Sequence, residues 1–458
     1  MYQARFTAGE LAAASGGIWQ TSVPEGTFVL NTDSRTIQSG ECFIPIVGER
    51  FDGHNFLSSL PDGCVALAEQ GHSVPENLPI LMVKNTTLAY QQIASFHRQR
   101  MKDLTVIGVT GSVGKTSVKE MLRAIFTEVA GENAVVYTLG NTNNQIGVPQ
   151  NLLRLTPQTR YAVIEMGTNH HGEIAPLSAA AIPDAALINT IAACHLENLG
   201  DLNGVAKEKS AIFSGMTSPD ALAVYPAECA GYDIIENAAN SFRKMRFGIN
   251  GDVTARYLNG SLNGSEVELS FNLLNQKVSF SWELTGEHQA ANAAGAAALA
   301  SGLGITPDVI ARGLSKTQLP GKRMKSEVVN GTTWINDAYN ANPQSMQSSL
   351  QCIAENSLNT PLLLVLGDML ELGAEEIAYH AAVLDKVEQL FARHNYTLFL
   401  LGKRFNQALQ QRSAVPGSWH TFESLDAVRS AIAEHRQAGM TIYLKSSNGI
   451  GLGKIEPC

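Results

Sequence analysis

"TVIGVTGSVGKTSVKEMLRAIFTEV", residues 105–129, reads as an apolar strand, a glycine-rich turn, and a helix with apolar residues at helical spacing. A turn of that kind aims backbone N–H groups and the positive end of the helix at an anion. Its Gly-Lys-Thr ending is that of a phosphate loop, but the front half departs from the usual Gly, four residues, Gly-Lys-Ser/Thr. Counting back from Gly114, the first glycine would fall at 109, where the chain has Val109. The loop is therefore a variant, with Thr110, Gly111, Ser112, Gly114, Lys115, Thr116 and Ser117 as its ATP contacts. Lys115 would neutralise the β- and γ-phosphates, and the Thr116 hydroxyl would meet Mg2+. The plainer alternative is a β–α turn whose lysine is merely exposed. Strand, loop and helix in the right order favour the phosphate.

With 458 residues, the chain exceeds one ordinary core, and two or three domains are expected. Hydrophobic residues at 44% and charged residues at 16% read as globular, not disordered. A net charge of −9 and a pI near 5.7 argue against a general nucleic-acid binder, which needs a basic face. An anionic substrate must then be held by local donors. The six cysteines (Cys42, Cys64, Cys194, Cys229, Cys352, Cys458) are scattered without a CxxC pair. Neither a zinc site nor a disulfide framework is expected, and a reducing cytoplasm fits. The opening "MYQARFTAGELAAASGG" lacks a basic start followed by an apolar run, so no signal peptide is expected. No uncharged apolar stretch reaches the roughly 18 residues of a membrane helix. "ANAAGAAALASGLG" (291–304) comes nearest and reads as a packed core helix.

Along the first part of the chain, strand-like runs alternate with turns: "TFVLNTDSR", "GECFIPIVGERFDGH" and "LPILMVKNT". A helix-like segment, 88–101, could carry the chain into the next domain. Buried-strand candidates at 105–111, 161–167, 185–191 and 221–226 alternate with helical stretches, which suggests a parallel, doubly wound sheet. Residues 250–285, with short polar strands and Gly/Asn turns, look like an antiparallel flap. After "KTQLPGKRMK" (316–325) the alternation restarts with "TTWINDAYN", "PLLLVLGDM", "YTLFLLG" and "TIYLKSS". The expected architecture is α/β in three domains. These are a small α/β domain over 1–100, a central phosphate-loop domain with a doubly wound parallel sheet over 101–317, and a Rossmann-like domain over 318–458.

The short form "TGSVGKTS" resembles the Thr-Gly-x-x-Gly-Lys-Thr loop of the Mur ligase and folylpolyglutamate synthetase superfamily, and three downstream stretches agree. "VIEMGTNHHGEI" (163–174) puts Glu165 at the end of a strand, where ligands sit in open parallel sheets. "NTIAACHLENLG" (189–200) places His195 just past the next strand, and "VAKEKSAIF" (205–213) offers Lys207 and Lys209 on a probable helix. One Glu, one His and one Lys make an incomplete Mg2+ site on ordinary rules, since Mg2+ prefers oxygen. In the Mur ligases, a lysine at the position of Lys209 is carbamoylated by CO2, which turns a cation into a carboxylate-like ligand. That chemistry needs a neutral amine, which burial can supply. The resemblance thus implies two Mg2+ ions, one on Thr116 and the phosphates, the other on Glu165, His195 and carbamoyl-Lys209. Individually, Glu165 could cap a loop, His195 could be a hydrogen-bonded core histidine, and Lys209 a solvated lysine. Their joint order behind this loop favours the metal. His170 and His171 lie near Glu165 and are read as substrate-loop residues.

"DSRTIQSGECFIPIVGERFDGHNF" (33–56) resembles the N-terminal UDP-binding domain of the muramoyl-peptide ligases. The resemblance implies that Ser34, Arg35, Asp52, Gly53 and His54 face the UDP-linked substrate. "GNTNNQIGVPQNLL" (140–153) resembles the substrate loop of the branch that adds D-alanyl-D-alanine, with Asn141, Thr142, Asn144 and Gly147 as contacts. A plain polar turn is the other reading. "INDAYNANPQSM" (335–346) and "LGDMLELG" (366–373) point to the same branch. Arg323, Asp337 and Asn340 match ATP-contacting positions, and Asn292 matches an adenine-facing one. One departure stands out: the family's last strand runs into Lys-Gly-Ser-Arg, and here "LKSSNGIGLGK" (444–454) has Asn448 where arginine is expected. Lys445 is the candidate to supply the missing charge.

The resemblance implies an ATP-dependent ligase that activates the carboxylate of UDP-N-acetylmuramoyl-tripeptide as an acyl phosphate and joins it to D-alanyl-D-alanine, releasing ADP and phosphate. A bacterial, cytoplasmic monomer without nucleic-acid or membrane partners is expected. Another ligase of the superfamily (one adding the third residue, or glutamate to folate), a phosphate-loop kinase without ligase activity, or a structural protein using ATP only for folding are the alternatives. A folate enzyme would not need 33–56, and a kinase would not require the dipeptide.

Overall fold

The computed structural model describes residues 3–457 except 21, 49, 262–263, 322 and 358–359, and of residue 325 the backbone. Lys322, in the expected domain connection, and Cys458 lie outside the described residues. Among the described residues, the strands form three sheets, in chain order.

The central sheet has nine strands. Thr105–Thr110 runs through its middle, with Val106, Ile107 and Val109 fully buried because helices cover both faces. It pairs in parallel with Tyr161–Glu165 on one side and Ala185–Ile188 on the other. Consequently the phosphate loop, Glu165 and the segment leading to His195 leave adjacent carboxyl ends, the ligand edge of an open parallel sheet. Leu222–Pro226 and Arg243–Phe247 extend the parallel part. The strands Val253–Ser261, Gly264–Phe271 and Gln276–Trp282 are antiparallel, as expected for the flap. They nevertheless continue the same sheet, since Val253 pairs with Phe247.

The alanine-rich stretch is the helix Glu287–Gly302, almost wholly buried. Its small residues let it lie close to the sheet: a Cβ on Gly302 would meet Leu222 Cδ2 at 2.4 Å. The helix Lys115–Ala130 packs beside it and buries Val118, Met121, Leu122, Ile125 and Phe126, an apolar stripe at helical spacing.

In the N-terminal sheet, Thr27–Asn31, Glu41–Phe43, Val65–Glu69 and Ile80–Val83 run parallel. The helix Thr86–Gln99, capped by Asn85 through Leu88 N at 2.8 Å, packs on this sheet and on the middle domain. His97 Nε2 donates to Leu155 O at 2.9 Å, and Arg98 pairs with Asp184 at 2.8 Å. The C-terminal sheet orders Lys325–Val329, Thr332–Asn336, Thr441–Lys445, Leu362–Gly367, Tyr396–Leu401 and Trp419–Phe422, parallel but for the first pair. Among the described residues, no helix is long and apolar enough to cross a membrane.

Candidate active site

The phosphate loop is drawn tight by its own side chains. Thr110 Oγ1 donates to Met166 O at 2.9 Å, and Ser112 N donates to Thr190 O at 2.7 Å. Ser112 Oγ both donates to Ala192 O and accepts from Ala192 N, at 3.0 Å each. Gly114 has φ +80, and a Cβ there would lie 2.3 Å from Asn189 Nδ2 and 2.4 Å from Asn292 Oδ1. Only glycine fits at that point. The helix that follows has no side-chain cap, so its first-turn N–H groups have no side-chain partner at the loop. Lys115 folds its Nζ back to Gly111 O at 2.7 Å, over the same cradle. Thr116 and Ser117 are buried in the first turn. An open helix start, a glycine-only cradle and a lysine across it suit a polyphosphate.

Glu165 is buried where its strand ends. Its Oε2 accepts from Thr116 Oγ1 at 3.0 Å, and its Oε1 from Asn143 Nδ2 at 2.9 Å. Asn143 was not among the residues singled out from the sequence, although its neighbours 141, 142 and 144 were. Of the two lysines on the helix Leu202–Ser210, Lys207 is exposed, while Lys209 is 1% exposed. Burial pushes its pKa down to about 8, opposed by Cys194 and Glu208 and assisted by Lys115. Burial thus raises the neutral fraction of this amine above that of an exposed lysine. His195 sits at φ +52, its Nδ1 2.5 Å from Glu371 Oε2. Burial holds its imidazole below the ordinary range, against the pull of Glu371, and the charges of Lys115 and Lys209 act the same way as burial. Thr116 and Glu165 are thus in direct contact at the loop, and Lys209 and Lys115 are near enough to His195 to act on its charge.

Glu208, next to Lys209, turns the other way. Its carboxylate accepts from the backbone N–H of Gly172 at 2.6 Å, Glu173 at 3.0 Å and Ile174 at 2.8 Å. It thereby pins the turn bearing the exposed His170 and His171.

Asn292 is buried under the loop, accepting from Asn189 at 2.7 Å and donating to Gln289 at 3.1 Å. Among the described residues, the buried Oδ1 of Asn189 beside it has no hydrogen-bond partner. From the C-terminal side, Arg323 stacks on Tyr339 at 3.8 Å and donates to Thr116 Oγ1 at 3.2 Å. Asn340 is exposed, its Oδ1 held by Ala341 N. Asp337 is buried, and its oxygens accept from Lys445 at 2.6 Å, Ser349 at 2.7 Å, Tyr443 at 3.2 Å and Met324 N at 3.3 Å. That leaves Lys445 buried and paired, so it does not supply the charge expected near the exposed Asn448.

The loop 139–147 is folded by the very residues read as contacts. Thr142 Oγ1 donates to Leu139 O at 2.7 Å, and Asn144 Oδ1 accepts from Gly147 N at 2.9 Å. Asn141 Oδ1 accepts from Asn143 at 3.2 Å, and Gly147 is buried where a Cβ would lie 2.3 Å from the Thr142 carbonyl carbon. Of the four, Asn141 and Asn144 are exposed.

In the N-terminal sheet, Ser34 and Arg35 follow Thr27–Asn31, while Asp52, Gly53 and His54 follow Glu41–Phe43, an adjacent parallel strand. Arg35 is exposed and forks onto Asp33, whose carboxyl it holds down at about 2. Gly53 is buried, and a Cβ there would lie 2.6 Å from Ile46 N. Asp52 and His54 are joined by His72, which the sequence did not single out: the two rings stack at 3.7 Å. His54 Nε2 accepts from Glu69 N at 3.1 Å, so its Nδ1 carries the proton donated to Asp52 at 2.7 Å. The trio is a hydrogen-bonded clamp with that imidazole already spent on both sides.

Two family models match the chain: the Mur ligase middle domain over residues 109–300, and the Mur ligase glutamate ligase domain over 322–448. The UDP-N-acetylmuramoyl-tripeptide–D-alanyl-D-alanine ligase of Escherichia coli (strain K12) is 39% identical over 77% of this chain and 77% of its own. The ligase of the same name from Bacillus subtilis (strain 168) is 34% identical over 93% and 91%. The crystal structure of MurF from Acinetobacter baumannii superposes with a TM-score of 0.90 at 30% identity, covering 99% of this chain and 98% of that one. The three-sheet α/β architecture, the phosphate-loop cradle and these likenesses agree: the chain belongs to the Mur ligase family.

Proposed function

We propose that the chain is the ATP-dependent ligase that joins D-alanyl-D-alanine to UDP-N-acetylmuramoyl-tripeptide through an acyl phosphate. The observation that carries this reading is the buried Lys209 amine beside the Lys115 cradle, with Glu165 and His195 on the same sheet edge. The names of the relatives, which extend over most of the chain, support the choice of substrates. The domains are read as 1–100 for the UDP-linked substrate, 101–317 for ATP and chemistry, and 318–458 for closing over the nucleotide. Each described sheet falls within one of those ranges. The alternatives named above, a kinase or another ligase of the superfamily, receive no comparable support.

In this reading, Lys115 and the uncapped helix start hold the β- and γ-phosphates while the tripeptide carboxylate attacks the γ-phosphorus, the bond to the β,γ-bridging oxygen breaks and ADP leaves. Arg323, already at Thr116, adds a second cation from the C-terminal domain. The dipeptide amine then attacks the acyl carbon, and phosphate leaves. Mg2+, when bound, neutralises phosphate charge; Thr116 would hold one ion, and Glu165, His195 and carbamoylated Lys209 a second. Asn143 and Thr116 fix both oxygens of Glu165, so that its orientation is set in advance. The enzyme is read as bacterial and cytoplasmic, and as a monomer.

The test is ADP release with ATP, UDP-N-acetylmuramoyl-tripeptide and D-alanyl-D-alanine, omitting each in turn. Sustained release is expected only with all three; release indifferent to the dipeptide would make the protein a phosphotransferase or hydrolase. Lys209→Ala should lose turnover and regain part of it with added short carboxylates, and full activity without them would remove the carbamate.

A further inference from the structure

Glu371 and His195 belong to different domains and stand 176 residues apart in the chain, yet their side chains meet at 2.5 Å. Both have left-handed backbones, φ +64 and +52, a region that residues bearing a side chain seldom occupy. Glu371 is aimed by a short segment with three independent anchors. Asp368 accepts from Arg404 N and Phe405 N at 3.0 Å each, capping the helix Lys403–Gln410. Met369 N donates to His380 Nε2 at 2.9 Å, and Leu370 N donates to Ser447 Oγ at 3.0 Å. On the other side, His195 starts the helix Leu196–Leu199, and Gly373 packs against it: a Cβ there would be 3.4 Å from Glu197 N. The two segments therefore meet through this hydrogen bond and the packing of Gly373 on the helix.

We propose that Glu371 is a positioning residue: by accepting the hydrogen bond from Nδ1–H of His195 it leaves Nε2 as the ring's one metal-binding atom, so the metal face of the middle domain is completed only when the C-terminal domain is docked. A carboxylate only accepts, so Nδ1 must be the protonated nitrogen, and the neutral ring then offers its lone pair at Nε2. An exposed ion pair between two domains would need neither left-handed residue nor an anchored segment. The inference rests on the reading of His195 as a metal ligand.

Full-length wild type, E371A, E371Q and H195A are compared by electron paramagnetic resonance titration of Mn2+ in the presence of a non-hydrolysable ATP analogue, by ADP-release kinetics and by melting temperature. E371A should weaken the second Mn2+ and lower kcat by about 10- to 100-fold each, with KM for the dipeptide and the melting temperature nearly unchanged. E371Q, whose amide oxygen accepts the same hydrogen bond, should recover most of both. Wild-type Mn2+ affinity in E371A overturns the inference, as does an E371Q enzyme no better than E371A. If H195A also binds two Mn2+ normally, the ligand reading itself has failed; if only H195A is impaired, the fault lies with Glu371 alone. Neither result bears on dipeptide-dependent ADP release, which tests the ligase activity separately.

Discussion

Asn143 donates to one oxygen of Glu165 at 2.9 Å while Thr116 donates to the other at 3.0 Å, so a single buried carboxylate ties the loop 139–147 to the first turn after the phosphate loop. Removing Asn143 should therefore disturb chemistry more than folding. Asn143→Ala is expected to lower kcat by about 10- to 100-fold and stability by only about 1 kcal/mol. ADP-release kinetics and urea denaturation would check this; a purely structural role would reverse the two effects.

Gly114→Ala places a methyl within 2.3 Å of Asn189 Nδ2 and 2.4 Å of Asn292 Oδ1, at a backbone φ of +80. The Asn189–Asn292 hydrogen bond has to yield, and the loop with it. Nucleotide affinity, measured by isothermal titration with a non-hydrolysable analogue, should fall at least about tenfold, equivalent to about 1.4 kcal/mol.

Lys445 and Asp337 form an ion pair buried in the C-terminal domain, at 2.6 Å. Losing one partner strands the other, so Lys445→Met is expected to cost about 3–5 kcal/mol in the unfolding of this domain. The double variant with Asp337→Asn should cost less than the sum of the two. An additive double-mutant cycle would argue against the pairing.

His380 is fully buried, and burial holds its pKa below the ordinary histidine value, partly opposed by its bond to Glu376 O and by Asp368. With Nδ1 donating to Glu376 O at 2.6 Å, Nε2 must stay unprotonated to accept from Met369 N. Above the unfolded pKa of about 6.5, neither state is protonated, and this residue adds no pH dependence. As the pH falls below that value the unfolded chain takes up the proton first, so stability declines until the depressed folded pKa is passed. The slope is at most about 1.4 kcal/mol per pH unit. His380→Gln, with an amide oxygen for Met369, should flatten the decline between pH 6.5 and 5 in denaturant melts. An unchanged slope would assign the acid sensitivity elsewhere.

How much of this was legible beforehand depended on distance along the chain. The strand–loop–helix at 105–129 and the parallel strands were readable because their signal is local: apolar runs, a glycine turn, a helical stripe. Lys209 was preferred to Lys207 by resemblance, and burial gives the same choice a physical ground. What escaped were partners. Nothing in "GNTNNQIG" distinguishes Asn143 from its neighbours until the sheet brings Glu165 beside it. Glu371 sits in an apolar run, "DMLELG", and Asn189 and His72 find their partners only through the fold. Short edge strands such as Val135–Tyr137 and Trp419–Phe422 carry too few residues for a pattern to form. Asp337 shows the opposite difficulty, a residue that looks free in sequence but has its acceptors occupied in the fold.

Glu208 and Lys209 are consecutive, and the helix sends one to the histidine-bearing turn and the other to the phosphate edge. A substitution that rotates or slides this helix would shift both regions at once. The histidine-bearing turn and the buried amine are thus mechanically linked, and neither can drift in evolution without the other being re-tuned.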